Sequence, residues 1–356
     1  MDARRAVNVP ELESLARERL TDTAFAYLVG GSGDEHTLRW NVEAWSRIRL
    51  APHFMVDVSA IDTTLRLLGH DLVSPIALAP TAAHRLFHPE GELETVRGAA
   101  AAEALYIQST LATVPVSEVG AAATGPWWFQ VYVQRDRGFT RELVARAESA
   151  GASALVLTVD LPVLGARDTD RRNEFGLPEG LEYANFRGLP AVADELPPER
   201  RVYNPHLDPS ICWPDLEWLR SFAGVPVLVK GVLRPDDAVQ ALDCGADGVV
   251  VSNHGGRNLD TVPATADALA GVVTAVDGRV PVLVDGGIRR GTDVAKALML
   301  GASAVLVGRP YVWGLTVDGA AGVKLVVDLL RTELEMAMCL LGARTLAELT
   351  ENLIWD

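Results

Sequence analysis

The stretch Gly245-Ala246-Asp247-Gly248-Val249-Val250-Val251, running into Ser252-Asn253-His254-Gly255-Gly256-Arg257-Asn258-Leu259-Asp260, decides how the rest of the chain is read. A glycine closes a helix, and small residues then lead into an unbroken β-branched run. Such a run suits a strand buried on both faces, as in a parallel sheet covered by helices. The loop after it carries an imidazole that can move a proton near neutral pH and a guanidinium that can grip a carboxylate or phosphate. Its glycines would make room for backbone or ligand. Alone, the loop reads equally well as a tight turn with a capping histidine.

The same unit recurs at Gly151-Ala152-Ser153-Ala154-Leu155-Val156-Leu157 and at Gly301-Ala302-Ser303-Ala304-Val305-Leu306-Val307. The intervals vary, which excludes a solenoid. Working outward, eight apolar strands are predicted at 75–79, 105–109, 128–133, 154–160, 226–231, 248–252, 281–285 and 304–308. Amphipathic helices separate most of them, among them 139–149, 235–242 and 292–300. Eight such alternations predict an α/β fold, a closed (β/α)8 TIM barrel in one domain over 1–356. Residues 1–74 form an N-terminal helical cap, with helices over 10–20 and 21–29 and a third, capped by Asp34, through Trp45. The barrel occupies 75–315. A long insertion over about 163–212, after the fourth strand, reads as a lid. Residues 316–356 are expected as C-terminal helices over 323–341 and 346–353, packed on the barrel or joining subunits.

Composition narrows the function. The net charge of -15 argues against nucleic acid, whose phosphates select basic surfaces. The three cysteines lack metal or disulfide spacing, which fits a reducing, cytoplasmic setting. No apolar stretch follows Met1–Arg5, and no run is long enough to span a membrane, so neither a leader nor a membrane is expected. His84 and His88, with Glu90 nearby, lack a metal-binding order, and a helix start after His88 explains them better. His36, His53 and His70 read as structural.

In a TIM barrel the site forms at the carboxyl ends of the strands. Those ends are polar here: Pro80-Thr81-Ala82, Ser109, Gln130 with Tyr132, Thr158 with Asp160, Lys230, His254, Asp285 with Gly287 and Arg289, and Gly308-Arg309. The last two ends read as a phosphate cradle, or else as glycine turns with exposed arginines. Lys230 would be costly to bury unpaired, and the residues alone leave open an anionic partner or a Schiff base.

The loop at 252–260 resembles the signature of the FMN-dependent α-hydroxy-acid oxidases and dehydrogenases. Matching motifs run along nearly the whole chain: Ala79-Pro80-Thr81-Ala82, His88-Pro89-Glu90-Gly91-Glu92, Trp128-Phe129-Gln130-Val131-Tyr132-Val133, Leu157-Thr158-Val159-Asp160, Leu228-Val229-Lys230-Gly231-Val232, Asp285-Gly286-Gly287-Ile288-Arg289-Arg290-Gly291 and Val307-Gly308-Arg309-Pro310. The resemblance implies FMN as cofactor and a 2-hydroxy acid as substrate. It implies that His254 takes a proton, Asp160 stabilises the charged imidazole, and Arg257 and Arg167 hold the carboxylate. Tyr132 and Tyr27 would bond the substrate oxygens. Lys230 would stabilise charge on the flavin, which sets the Schiff base aside.

Pro80, Thr81, Ala82, Ser109, Gln130, Thr158 and Ser252 are implied at the flavin ring. Asp285, Gly287, Arg289, Gly308 and Arg309 are implied at the ribityl chain and phosphate. Leu111 stands where glycolate oxidases carry tryptophan, which implies a larger, aromatic (S)-2-hydroxy acid. Ala82 resembles the oxidases rather than the mandelate dehydrogenases, which implies O2 as acceptor and H2O2 as product. The overall pattern is similar to 4-hydroxymandelate oxidases of antibiotic-producing bacteria, and the family implies a homotetramer. Tyr203, Asn204 and His206 are candidates for meeting a ring hydroxyl, unless they are ordinary lid residues. A small aliphatic acid, another electron acceptor, or a flavin-binding protein without catalysis are the alternatives.

Overall fold

The computed structural model describes residues 6–189 and 206–355. Eight parallel strands close a barrel: β3 (Ile76–Leu78), β4 (Tyr106–Gln108), β5 (Trp127–Val131), β6 (Leu155–Thr158), β7 (Val227–Val232), β8 (Gly248–Val251), β9 (Val282–Val284) and β10 (Ala304–Val307), with β10 pairing back to β3. All eight lie where the apolar runs placed them. Helices α4 (Glu92–Ala101), α5 (Val116–Ala122), α6 (Arg137–Ser149), α9 (Pro235–Asp243), α10 (Thr265–Val276) and α11 (Gly291–Met299) follow strands and cover the barrel.

Strand parity sorts the side chains. Val249 and Val251 join the large core between barrel and helices, whereas Val250 joins the inner core with Leu228, Leu283 and Leu306. Because successive strand residues face opposite ways, each inward row can be followed upward two residues at a time. Trp128 leads to Gln130 and Tyr132, Val156 to Thr158 and Asp160, Leu228 to Lys230, and Val250 to Ser252 and His254. The apolar lower interior therefore gives way to a polar upper interior within single strands.

The lower end is closed by an antiparallel hairpin that the sequence reading did not foresee, β1 (Leu65–Leu67) and β2 (His70–Leu72). Its Leu67 and Leu72 pack into the inner core.

The N-terminal helices are α1 (Val9–Arg17), α2 (Asp22–Val29) and α3 (His36–Arg47). Thr21 caps α2 by accepting from Ala24 N at 3.2 Å. Asp34 does not cap α3. The residue at that position is Glu35, in a left-handed conformation with no capping bond of its own. Instead Asp260 accepts from Thr37 N at 2.9 Å and His36 N at 3.3 Å. The loop after β8 thus supplies the helix's missing acceptor and ties the N-terminal cap to the barrel mouth.

At the C-terminus, α12 (Arg309–Leu341) is broken at Asp318 and Gly319, so the expected division at 315/316 falls just inside its first half. The predicted helix over 346–353 is instead two 3-10 turns, Leu346–Glu348 and Leu353 with its two predecessors. Backbone bonds Ala51 N to Leu353 O and Trp355 N to Arg49 O hold this segment extended against the N-terminal region. Within the expected lid lie α7 (Asp168–Arg172) and a 3-10 turn at Ala184–Phe186, before α8 (Trp213–Arg220). Among the described residues no helix is long and apolar enough to cross a membrane.

Candidate active site

The upper barrel mouth, the α2 terminus and the lid enclose a cavity of about 790 Å³. His254 enters it from a backbone held at φ 58°, a left-handed conformation that histidine tolerates better than most residues. Its Nδ1 lies 2.9 Å from Asp160 Oδ1. A carboxylate only accepts, so Nδ1 carries a proton, and in the neutral imidazole the Nε2 lone pair is the one left toward the cavity. Tyr132 OH stands 3.5 Å from that Nε2, at the limit of a hydrogen bond. Burial alone would raise the Asp160 carboxyl, but His254, with Lys230 beyond it, holds it below the usual carboxylate range. Asn258 fixes the Asp160 backbone by donating to its carbonyl at 2.8 Å.

Lys230 is 5% exposed, 3.1 Å from Asp285 Oδ2, and donates to Ser252 Oγ at 3.0 Å. Burial opposes its charge, yet Asp285 and Asp160 outweigh that and hold the ammonium above its ordinary value. A Schiff base needs a neutral amine, so this lysine is built to stay charged. Ser252 does not line the cavity. It accepts from Lys230 and from His254 N, and so joins the two.

Five arginines line the cavity: Arg167, Arg171, Arg257, Arg289 and Arg309. Arg257 donates to the carbonyls of Tyr27 and Gly30 at 2.8 Å each and lies over the Tyr27 ring. Arg167 pairs with Asp170 at 3.0 Å and also lies near that ring. Arg309 donates to the carbonyls of Leu28, Gly255 and Gly30. Arg289 stacks over Trp313. Among the described residues, no carboxylate forms an ion pair with Arg257, Arg289 or Arg309. Burial, followed by repulsion from Arg257 and Arg289, pushes Arg309 well below the ordinary arginine value. A half-buried cationic cluster with no ion-pair partner among the described residues fits a bound anion such as a phosphate. Gly308 fits the same reading: a Cβ there would meet nothing nearer than Thr81 Cγ2 at 3.5 Å, so the wall is left open toward the cavity.

Two glycines make room for neighbouring backbone. A Cβ at Gly287 would sit 1.9 Å from Asn41 O, and one at Gly256 would sit 2.7 Å from Leu38 N. Both have positive φ and are required by close packing against α3, and Gly287 also lines the cavity.

Pro80, Thr81, Ala82, Ser109, Leu111, Tyr27 and Asp285 line the cavity. Gln130 and Thr158 stand one layer behind. Gln130 Oε1 accepts from Ser109 Oγ at 3.2 Å, and its Nε2 donates to Thr158 Oγ1 at 3.0 Å. They are therefore placed to orient Ser109. Tyr203 and Asn204 lie outside the described residues, and His206 lines a smaller adjoining cavity. The sequence reading missed Tyr183, which lines both cavities, and Phe175, which stacks on Tyr27 at 4.0 Å. Neither carries a periodic signal. Among the described residues, no cluster of His, Cys, Asp and Glu could hold a metal ion.

The family described as FMN-dependent dehydrogenase matches residues 16–356. The chain is 47% identical to an L-lactate oxidase of Nostoc sp., over 98% of each chain. It is 46% identical to a peroxisomal (S)-2-hydroxy-acid oxidase of Oryza sativa subsp. japonica, over 99% of this chain and 96% of that one. Among solved structures, a mandelate oxidase superposes with a TM-score of 0.89 at 43% identity, over 97% of both chains. Mandelate oxidase with benzoyl-formic acid gives a TM-score of 0.89 at 42% identity, again over 97% of both. Matched over most of its length and carrying a cavity that suits a phosphate-bearing ligand, the chain belongs to the FMN-dependent dehydrogenase family and is an oxidoreductase with FMN as its cofactor.

Proposed function

We propose that the 2-hydroxy acid taken by this FMN-dependent oxidase is aromatic, (S)-mandelate or 4-hydroxymandelate, and that O2 accepts the electrons and leaves as H2O2. The observation that carries this reading is the apolar part of the cavity lining. Leu111, Leu161, Leu164, Phe175 and Leu177 line the cavity of about 790 Å³ with apolar side chains that suit a phenyl ring. The relative named L-lactate oxidase favours a small aliphatic acid as the second reading.

Arg257 and Arg167 would hold the substrate carboxylate, Arg257 with its orientation already fixed by two backbone carbonyls. The Nε2 lone pair of His254 would take the proton of the substrate hydroxyl. Asp160, ionised and bonded at Nδ1, would stabilise the imidazolium that results. Tyr132 OH would bond the substrate oxygen beside Nε2. Lys230 and Ser109 would face the ring, and Arg289, Arg309 and Gly308 the phosphate. FMN, when bound, accepts the two electrons.

For a ring hydroxyl, Tyr183 joins Tyr203, Asn204 and His206 as a candidate partner. Its hydroxyl has no hydrogen-bond partner among the described residues, and burial raises its pKa, so it remains a neutral donor and acceptor. A cytoplasmic location, a tetramer and a place in antibiotic biosynthesis are proposals on the sequence reading alone.

The test is anaerobic bleaching of the flavin by mandelate, 4-hydroxymandelate, lactate and glycolate, followed by readmission of O2 and assay of peroxide. Faster bleaching by the aromatic acids is expected. Faster bleaching by glycolate or lactate would overturn the aromatic reading, and no peroxide on readmission would overturn O2 as acceptor.

A further inference from the structure

His84 takes no part in the chemistry above, yet it has no exposed surface at all. It sits behind Thr81 in a set of polar groups whose protons can be assigned one by one. Tyr311 has a single hydroxyl proton, donated to the Ala79 carbonyl at 2.8 Å. Toward its other neighbours, Thr81 Oγ1 and His84 Nε2, the Tyr311 oxygen can only accept. Thr81 therefore donates to Tyr311 and has no proton left for His84 Nε2, 2.6 Å away. Nε2 must carry the ring proton and donate to Thr81.

Burial opposes a second proton on the imidazole, against a smaller pull from Glu92. Nδ1 is then bare and accepts from Thr95 Oγ1 at 2.9 Å. Glu92 does not contact the ring. It accepts instead from His84 N, Thr113 N and Thr113 Oγ1. The result is one directed series from Thr95 through His84, Thr81 and Tyr311 to the Ala79 carbonyl.

Of the side chains in this series only Thr81 lines the cavity. Its proton is committed to Tyr311 and one lone pair to His84, so what it has left to offer is an acceptor. We propose that His84 is a positioning residue, whose Nε2–H fixes the Thr81 hydroxyl so that it turns a lone pair rather than a proton to the FMN ring. This rests on Thr81 being part of the flavin wall. Reduction adds an N–H donor to the flavin ring, so an acceptor held on that wall favours the reduced form. Without His84, the Thr81 hydroxyl is free to swing and to offer its proton instead.

The experiment measures the midpoint potential and visible spectrum of bound FMN in the holoenzyme. His84→Leu should disfavour the reduced form about tenfold, ~30 mV lower for a two-electron couple. His84→Gln, which keeps an N–H donor, should return to within about twofold of the wild type, a difference smaller than one neutral hydrogen bond. Thr81→Val should shift the potential by itself, and adding His84→Leu to it should change nothing further. An unchanged or higher potential in His84→Leu overturns the proposal, and so does an additive double variant. If Thr81→Val leaves both spectrum and potential unchanged, the placing of Thr81 at the flavin is what fails. Should His84→Leu not fold, Tyr311→Phe removes the acceptor that takes the Thr81 proton and should lower the potential likewise, and an unchanged potential there overturns the proposal equally.

Discussion

The two ends of the barrel interior are built from the same strands and the same inward rows, yet they are made of opposite materials. Below, Leu228, Val250, Leu283 and Leu306 meet Leu67 and Leu72 of the hairpin in a dry core. Two residues higher on the same rows stand Lys230, Ser252 and Asp285, joined by an ion pair and a hydrogen bond. The lower half gains stability from apolar burial. The upper half contains a buried lysine and half-buried arginines that would each be costly without partners. Position along the strand, rather than the strand itself, divides stability from chemistry.

The sharpest way to break this division is His254→Asn. Asparagine tolerates the left-handed backbone, so folding should be nearly unaffected. Flavin bleaching by substrate should slow by about 10²–10⁴-fold, as expected for loss of a general base. FMN should remain bound, as its absorbance will report. Retained fast bleaching would remove His254 from the base role.

Lys230→Met tests the boundary itself. It leaves Asp285 buried without its cation, which should cost about 3–5 kcal/mol in urea unfolding of the apoprotein. The sign of the pH effect follows from the direction of the shift. Because the folded-state pKa of Lys230 is raised, the pair's contribution is fully present below the unfolded lysine value of about 10.4 and is lost as pH rises through the folded value. The stability gap between wild type and variant should therefore narrow at strongly alkaline pH. A gap that is constant with pH would mean the lysine acts through packing alone.

Leu228→Ala, one inward step below, should behave in the opposite way. A loss of about 2–5 kcal/mol is expected from the cavity it leaves. Bleaching rates measured well below the unfolding transition should stay within about twofold, less than one hydrogen bond's worth of change. A large rate defect would show that the lower core also sets the geometry of the upper site.

How much of this was legible in the sequence follows from the same contrast. The barrel strands could be read because burial on both faces leaves continuous apolar runs, and the repeated Gly-Ala entry marks where three of them begin. The polar strand ends could be read because they follow those runs at fixed parity. Contacts between distant segments could not. Asp260 caps a helix more than two hundred residues away, which leaves no local pattern around Asp34 or Glu35. The hairpin strands are three residues each, too short for alternation to register. Leu346, Leu349 and Leu353 have helical spacing, but their backbone is drawn into bonds with residues 49–51, which override it. The glycines at 256 and 287 were legible as tight positions, but not as contacts with α3.

The smallest expected effect lies at the rim, where neither half of the comparison applies. Tyr183 belongs to the lid, lines the cavity and the smaller pocket beside it, and packs edge-on against Phe186. Tyr183→Phe keeps that ring contact and removes only the hydroxyl. If the hydroxyl meets a ring hydroxyl of the substrate, kcat/KM for 4-hydroxymandelate should fall about fivefold, the worth of one neutral hydrogen bond. The value for mandelate, which has nothing to offer that hydroxyl, should not move. An equal fall for both acids would make Tyr183 a packing residue of the lid. An unchanged ratio with unchanged rates would place the ring hydroxyl elsewhere in the cavity. Specificity would then reside in the apolar wall around Leu111, and the upper half would divide again, into polar groups that perform the chemistry and apolar ones that choose its substrate.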